Sequence, residues 1–393
     1  MKLTVLMNCG PWLSVPPPGY GGIENVIAAL VPELRRRGVR VVLVSVGDST
    51  LEADEHVSVF PTGQFAHLQR PYNQVMGIAA AHLNRLVSEL RGRDDVVLVH
   101  DHQEAFGLTV LGALGPDMPP VLHTLHWDLR RNADFYASFD GRGRVFFAGV
   151  SDTQIARGPA ALRRQTLGAV PLSVPIPAVG PAPREERTDA VLVLSRLCEA
   201  KGTDIAVRAC RKAGVPLLLA GPVGGQPNRA ALDAALDDPA SPVHSHPDVR
   251  WFLEQVAPSL DEGARWIGTV SGVEKDELLR RSRAVLFPVR WDEPGGTAAC
   301  EALAAGTPVV CMARGCLPAL VEPGVTGFLA VGEAEFGDAL RRIDEIDPEK
   351  CAAAARHRFS PRVMADGYER LYAEVLRRAA GRALPVCSAA LPG

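Results

Sequence analysis

Short apolar runs alternate along this chain with stretches whose apolar residues recur every three or four positions. Leu3–Met7 is one such run and predicts a buried strand; over Ile23–Arg37, Ile23, Val26, Ile27, Leu30, Val31 and Leu34 share one helical face. Gly38 ends that helix, and the β-branched run Val39–Ser45 predicts the next strand. Further strands are predicted at Val96–His100, Val121–Leu125 and Val145–Val150. Strand and helix in repeated alternation imply a parallel, doubly wound sheet.

The alternation then breaks. Residues 171–186 (PLSVPIPAVGPAPREE) are proline-rich, have no helical period and read as a linker, placed at 173–188. It restarts with strands at Val191–Ser195, Leu217–Ala220, Arg265–Ile267, Val285–Phe287, Val309–Cys311 and Gly327–Ala330. Helices are predicted at Thr203–Ala213, Lys275–Arg283, Thr297–Ala305 and Ala334–Ile343. The fold class is therefore α/β, with Rossmann-like domains at 1–172 and 189–361. A last helix, Val363–Arg378, carries Met364, Tyr368, Leu371, Tyr372, Val375 and Leu376 on one face. That pattern alone leaves open which domain it packs on. The tail 381–393 reads as disordered.

Composition narrows the function by exclusion. A length of 393 residues suits two such domains. The formal net charge of −3 supplies no basic field for a nucleic-acid partner, and Arg35-Arg36-Arg37 reads as a solvated helix end. The first residues are too short an apolar run for a signal peptide, and no stretch reaches the roughly 18 apolar residues of a membrane span. The eight cysteines are scattered without a Cys-x-x-Cys pair, which indicates neither a disulfide framework nor a zinc site and fits a reducing cytoplasm.

In open parallel sheets ligands bind beyond the carboxyl ends of the strands, so the residues that follow each strand are the candidates. After the first strand comes CGPWLSVPPPGYGGIE, in which Gly21 and Gly22 precede a helix and let an anion approach its free N–H groups. A flexible turn with a glycine cap explains that pair equally well. After the first strand of the second half comes SRLCEAKG, where Arg196 and Lys201 can hold a diphosphate; two exposed cations are the plainer reading. After Val289 comes WDEPGGTAACEALAAG. There Gly295, Gly296 and Thr297 open a second helix, Glu301 lies one turn on, and Glu293 sits in the loop. Two anion sites with a cation pair beside them suit a nucleoside diphosphate better than any one motif does.

These stretches resemble glycosyltransferase family 4, the retaining enzymes of the GT-B fold. The resemblance rests on PPPGYGGIE, on SRLCEAKG, and on Glu293 and Glu301 with seven residues between them. It extends through ALAAGTPVV (302–310) and PALVEPGVTGFL, in the expected order over almost the whole chain. PPPGYGGIE, VGDST and WDEPGG together resemble one bacterial subgroup. The resemblance implies that Arg196 and Lys201 bind the donor diphosphate and Gly22 faces it. Glu293 then contacts the donor sugar and Glu301 the ribose hydroxyls, while the amides near Gly296 and Thr297 hold phosphate or sugar oxygens. His126, in HTLHW, resembles a family histidine at the donor sugar. Family precedent also returns the last helix, 362–380, to the first domain. Gly295 and Thr297 depart from the bulky apolar and Leu/Ile residues common in the family at those places, which weakens any transfer of donor identity.

The resemblance implies transfer of a sugar from a nucleoside-diphosphate sugar to an acceptor with the anomeric configuration kept. It needs no metal, no bound cofactor and no protein nucleophile. A small soluble acceptor is expected, lined by Trp12, Tyr20, His100, Asp101, His102 and Trp127 of the first domain; a homodimer is left open. A sugar-nucleotide epimerase or phosphorylase on the same fold is the competing enzyme reading. A nicotinamide oxidoreductase is disfavoured by the missing Gly-x-Gly-x-x-Gly fingerprint, and a catalytically idle sugar-nucleotide-binding protein by Arg196, Lys201, Glu293 and Glu301.

Overall fold

The computed structural model describes residues 3–381 apart from Tyr20 and Glu104, so the acceptor expectation for Tyr20 and the reading of the tail beyond Gly381 lie outside the described residues. The chain divides into two compact units, one of Met1–Pro171 with Met364–Gly393 and one of Leu172–Val363.

In the first unit seven strands form one sheet: β1 (Thr4–Asn8), β2 (Arg40–Val44), β3 (Glu55–Val57), β4 (Leu98–Asp101), β5 (Val121–Leu125), β6 (Val145–Gly149) and β7 (Thr166–Ala169). Their order is β3-β2-β1-β4-β5-β6-β7 and every pairing is parallel. The strands β1, β5 and β6 are buried at every position, as a parallel sheet covered by helices on both faces requires. The predicted strands are all present. The pattern missed β3 and β7 because both lie at sheet edges, where EHV and TLGA carry little apolar signal. The predicted strand Val96–His100 is shifted: β4 begins at Leu98 and runs on through Asp101.

The second unit repeats the plan with β8 (Val191–Leu194), β9 (Leu217–Ala220), β10 (Ala264–Gly268), β11 (Val285–Phe287), β12 (Val309–Met312) and β13 (Gly327–Ala330). The order is β10-β9-β8-β11-β12-β13, again all parallel. Its core holds Val191, Leu219, Phe252, Leu286, Val310 and Phe336. The helix expected from Lys275 begins three residues earlier and spans Gly272–Arg281, after Ser271 in extended conformation.

Both sheets reverse direction once, between β1 and β4 and between β8 and β11. At such a reversal the connections leave the sheet on opposite sides and open a crevice beyond the strand ends. The loops after β1, β4, β8 and β11 therefore occupy the ligand-binding positions of their units.

The last helix, Pro361–Ala380, belongs to the first unit from Met364 onward. Met364, Tyr368, Tyr372 and Val375 are buried, whereas Leu371 and Leu376 remain half-buried. A Cβ at Gly367 would lie 2.9 Å from a Val170 methyl, so the helix lies close against the end of the first unit's chain. Arg37 binds Asp366 and Glu369, each at 2.6 Å. Among the described residues no helix is long and apolar enough to cross a membrane.

Candidate functional site

In the second unit the loop after β8 is fastened to the loop after β11. Gly202 adopts φ 68°, and a Cβ there would overlap the Pro288 carbonyl, so only glycine permits this approach. The Arg290 amide donates to the Ala200 carbonyl at 2.9 Å. Its guanidinium donates to both oxygens of Asp204 at 2.6 Å and to the Glu199 carbonyl at 3.1 Å. Burial of Asp204 favours its protonated form, but the hydrogen bonds from Arg290 and Arg208 outweigh it and hold the carboxyl below its usual range.

This frame brings together residues that lie 92 apart in sequence. Lys201 Nζ donates to Glu293 Oε2 at 2.7 Å, and Trp291 Nε1 donates to the same oxygen at 3.1 Å. The ammonium also lies 4.7 Å from the centre of the Trp291 ring, within cation–π range. Both ends of the ion pair are mostly buried. The Cys316 amide donates to the Glu293 carbonyl at 2.8 Å and anchors the loop from the β12 side. Among the described residues Glu293 Oε1 has no partner, and one of the three ammonium N–H groups suffices for the pair. Lysine and glutamate thus keep both a donor and an acceptor available.

The helix Thr297–Ala304 starts where the sequence placed it. Gly296, at φ 63°, is its N-cap; a Cβ there would strike Leu320 and lie 3.1 Å from Cys316 Sγ. No side chain caps this end, so its first amides remain donors for an anion. Glu301 pairs with Lys275 at 2.7 Å through Oε1, leaving Oε2 unpartnered among the described residues. Arg196 does not join these pairs: its side chain is half-exposed and reaches Asp248 at 3.8 Å.

In the first unit Gly21 caps the helix Gly22–Arg36. Gly21 is packed on Pro17, whereas a Cβ on Gly22 would meet open space. Glu24, buried in the first turn, brings a carboxylate of the chain itself to this positive helix end. The backbone carbonyl of Trp12 accepts from the Phe65 amide at 2.9 Å.

The residues proposed to line an acceptor site divide on burial. Trp127 is 41% exposed. His100 and Asp101 lie inside β4, fully buried, and this corrects their placement after the strand. His100 Nδ1 meets the Tyr372 hydroxyl at 2.8 Å and Nε2 meets Thr124 Oγ1 at 2.9 Å, with Thr124 3.0 Å from the Tyr368 hydroxyl. Asp101 accepts from Asn8 Nδ2 and His123 Nδ1, both at 2.6 Å, and from the Gln103 amide at 3.3 Å. Both side chains are bound by their own unit and turned from solvent. His102 is buried as well, with Nδ1 2.8 Å from Nε2 of the half-buried His126. Burial, with His123 nearby, pushes the His126 pKa down to about 3. Burial likewise drives His100 and His102 well below the usual histidine range, with neighbouring histidines adding to it. These rings are neutral imidazoles at neutral pH.

Sequence reasoning missed Lys275, Trp291, Asn8, His123, Tyr368 and Tyr372 as partners. Trp291 was within reach, two residues before Glu293 in WDEPGG. Lys275 carried no signal, because the helix it sits on meets Glu301 only in the folded unit.

Two Rossmann-like units, each a parallel sheet with one reversal, define the GT-B architecture. Residues 20–156 match the model of "Glycosyltransferase Family 4" and residues 181–358 that of "Glycosyl transferases group 1". Together these two matches to glycosyltransferase models take in most of the chain, whose units have the GT-B fold. The D-inositol 3-phosphate glycosyltransferase of Corynebacterium aurimucosum is 29% identical over 196 residues, 48% of this chain. The match covers 44% of that relative, so this chain spans less than half the length of the curated relative. Among solved structures, AviGT4, a glycosyltransferase involved in avilamycin A biosynthesis, superposes with a TM-score of 0.61 at 23% identity, over 95% of this chain and 98% of that one. Anabaena Alr3699/HepE, solved with UDP and glucose, gives 0.62 at 16% identity over 95% and 100%. At these identities the structures establish the fold alone.

Proposed function

We propose that the chain is a retaining glycosyltransferase that moves a hexosyl group from a nucleoside-diphosphate sugar to a small soluble acceptor without a metal ion. The observation that carries this reading is the Lys201–Glu293 pair beside the uncapped helix at Gly296, at the strand reversal of the second unit. A diphosphate leaving group develops charge as the anomeric bond breaks, and positioned N–H donors stabilise it. Lys201, Arg196 and the amides at Gly296 and Thr297 are those donors. The donors of the second unit neutralise the diphosphate in place of a divalent cation; in the first unit Gly21 caps its helix and Gly22, where a Cβ would meet open space, leaves room for an anion at that helix end.

Glu293, held by Lys201 and Trp291, turns its second oxygen to the donor sugar, and Glu301 accepts from the ribose hydroxyls. His126 contacts the sugar. The acceptor attacks on the face from which the diphosphate departs, and its proton goes to the departing phosphate oxygen. No side chain forms a covalent intermediate. The solved complex of HepE with UDP and glucose supports a donor of this class.

The test is a thermal-shift panel of nucleoside diphosphates, followed by NMR of the product's anomeric proton. A ligand at about 100 times its Kd adds roughly 2.7 kcal/mol of stability. One base should shift the melting temperature, and the product should keep the donor's configuration with EDTA present. No shift with any nucleotide removes the donor assignment; an inverted product removes the mechanism.

A further inference from the structure

The geometry points to His102 as a positioning residue that fixes His126 in the Nδ1–H tautomer, so that His126 offers a hydrogen-bond donor and not a base. The inference rests on the proposed contact of His126 with the donor sugar. His102 Nδ1 and His126 Nε2 are 2.8 Å apart, so one of them carries the shared proton. Suppose His126 donated. His102, a neutral ring accepting at Nδ1, would then carry its proton on Nε2, which is buried with no partner among the described residues. A buried orphan N–H is the rarest kind of unsatisfied group, and an orphan lone pair is tolerated more often. The proton therefore sits on His102 Nδ1. His126 Nε2 accepts it, and the proton of His126 is left on Nδ1, which has no partner among the described residues.

The rest of the unit holds His102 in place. Its amide donates to the Asn8 carbonyl at 3.0 Å. Its ring lies between His100, with centroids 4.1 Å apart, and His126, 5.1 Å apart and stacked at 28°. His100 is itself pinned by Tyr372 and Thr124. The ring that aims His126 is thus fixed through the last helix of the chain. Burial keeps both rings of the pair uncharged, which removes the doubly protonated arrangement.

The experiment is ¹⁵N NMR of the histidine-labelled protein, with His126→Asn used to assign the ring and turnover measured alongside. The expected wild-type spectrum has a protonated Nδ1 and a bare Nε2 on His126. His102→Phe, which removes the donor, should lose that signature and roughly five- to tenfold in kcat, the scale of one hydrogen bond. His102→Asn restores an N–H near the Nδ1 position and should recover most of the loss. A protonated Nε2 on His126 in the wild type overturns the inference, and that readout needs no His102 variant to fold. Full turnover and an unchanged signature in His102→Phe overturn it as well. An Nδ1–H signature together with wild-type turnover in His126→Asn would leave the tautomer standing and remove His126 from the donor site.

Discussion

Lys201 Nζ and Glu293 Oε2 are 2.7 Å apart, so two residues each expected to face the ligand instead face one another. The pair is compatible with both roles because neither group is used up by it. A single contact neutralises two charges that would otherwise be partly desolvated alone, which is costly. It also holds each side chain within reach of a ligand before one arrives, which is what positioning requires.

Substitution separates these two contributions. Lys201→Ala should lower turnover by about 10²–10³, the loss typical of a missing donor to developing charge. It should also lower stability by about 1–3 kcal/mol, because Glu293 keeps its burial and loses its cation. Adding Glu293→Gln should recover most of the stability and none of the turnover. Thermal denaturation and steady-state kinetics on the two variants check this; turnover returning with stability would make Lys201 structural.

Glu301 should act on binding and not on the chemical step. The ribose is unchanged as the anomeric bond breaks, so a contact to it is equally strong in ground and transition states and appears in KM. Glu301→Gln is expected to raise the donor KM about tenfold with kcat nearly unchanged, the size of a hydrogen bond to a charged acceptor. Calorimetry with the nucleoside diphosphate and its 2′-deoxy analogue gives the check: the variant should no longer tell the two apart. A fall in kcat alone would place Glu301 in the chemistry.

Much of this was legible in the sequence. The α/β class, the strand succession and the glycine-led helix at Thr297 follow from periodicity and turn residues, because a covered parallel sheet demands continuous apolar strands. The edge strands β3 and β7 were hidden because an edge is buried on fewer sides. The pairing of Lys201 with Glu293 and of Lys275 with Glu301 was hidden for another reason. Each joins residues many positions apart, and composition holds no trace of which lysine meets which glutamate. His100 and Asp101 were misplaced by a shift in where β4 begins and ends, which changes the surroundings of every residue at its carboxyl end.

The histidines of the first unit set a pH dependence with a definite sign. Burial lowers His82 to about 4 and His126 to about 3, and drives His100 and His102 well below their usual value. In the unfolded chain each titrates near 6.5. Below that pH the unfolded state binds protons that the folded state refuses, so stability falls as pH drops from about 6.5 toward the folded values and is flat above. Each such histidine contributes a slope of up to about 1.4 kcal/mol per pH unit. Urea unfolding from pH 8 to pH 5 should show it, and His82→Gln should make the slope shallower. A flat profile across that range would mean that the folded protein takes up these protons as readily as the unfolded chain, so that the rings titrate near 6.5 in both states.

The last helix is expected to be held by chemistry as well as by packing. The Tyr372 hydroxyl and His100 Nδ1 share a hydrogen bond of 2.8 Å while both side chains are fully buried. Tyr372→Phe keeps the ring, the volume and the apolar contacts, so no cavity forms. What it removes is one hydrogen bond, and it leaves a buried imidazole nitrogen unpaired, at a cost of about 1–3 kcal/mol. Tyr368→Phe instead leaves Thr124 with its bond to His100, and the smaller net value of a hydrogen bond, about 1 kcal/mol, applies. Chemical denaturation should therefore rank Tyr372→Phe as the more destabilising of the two. If His102 takes its position from His100, Tyr372→Phe should also reduce turnover while Tyr368→Phe leaves it closer to wild type. Equal effects of the two variants on turnover would sever the link between the last helix and His126.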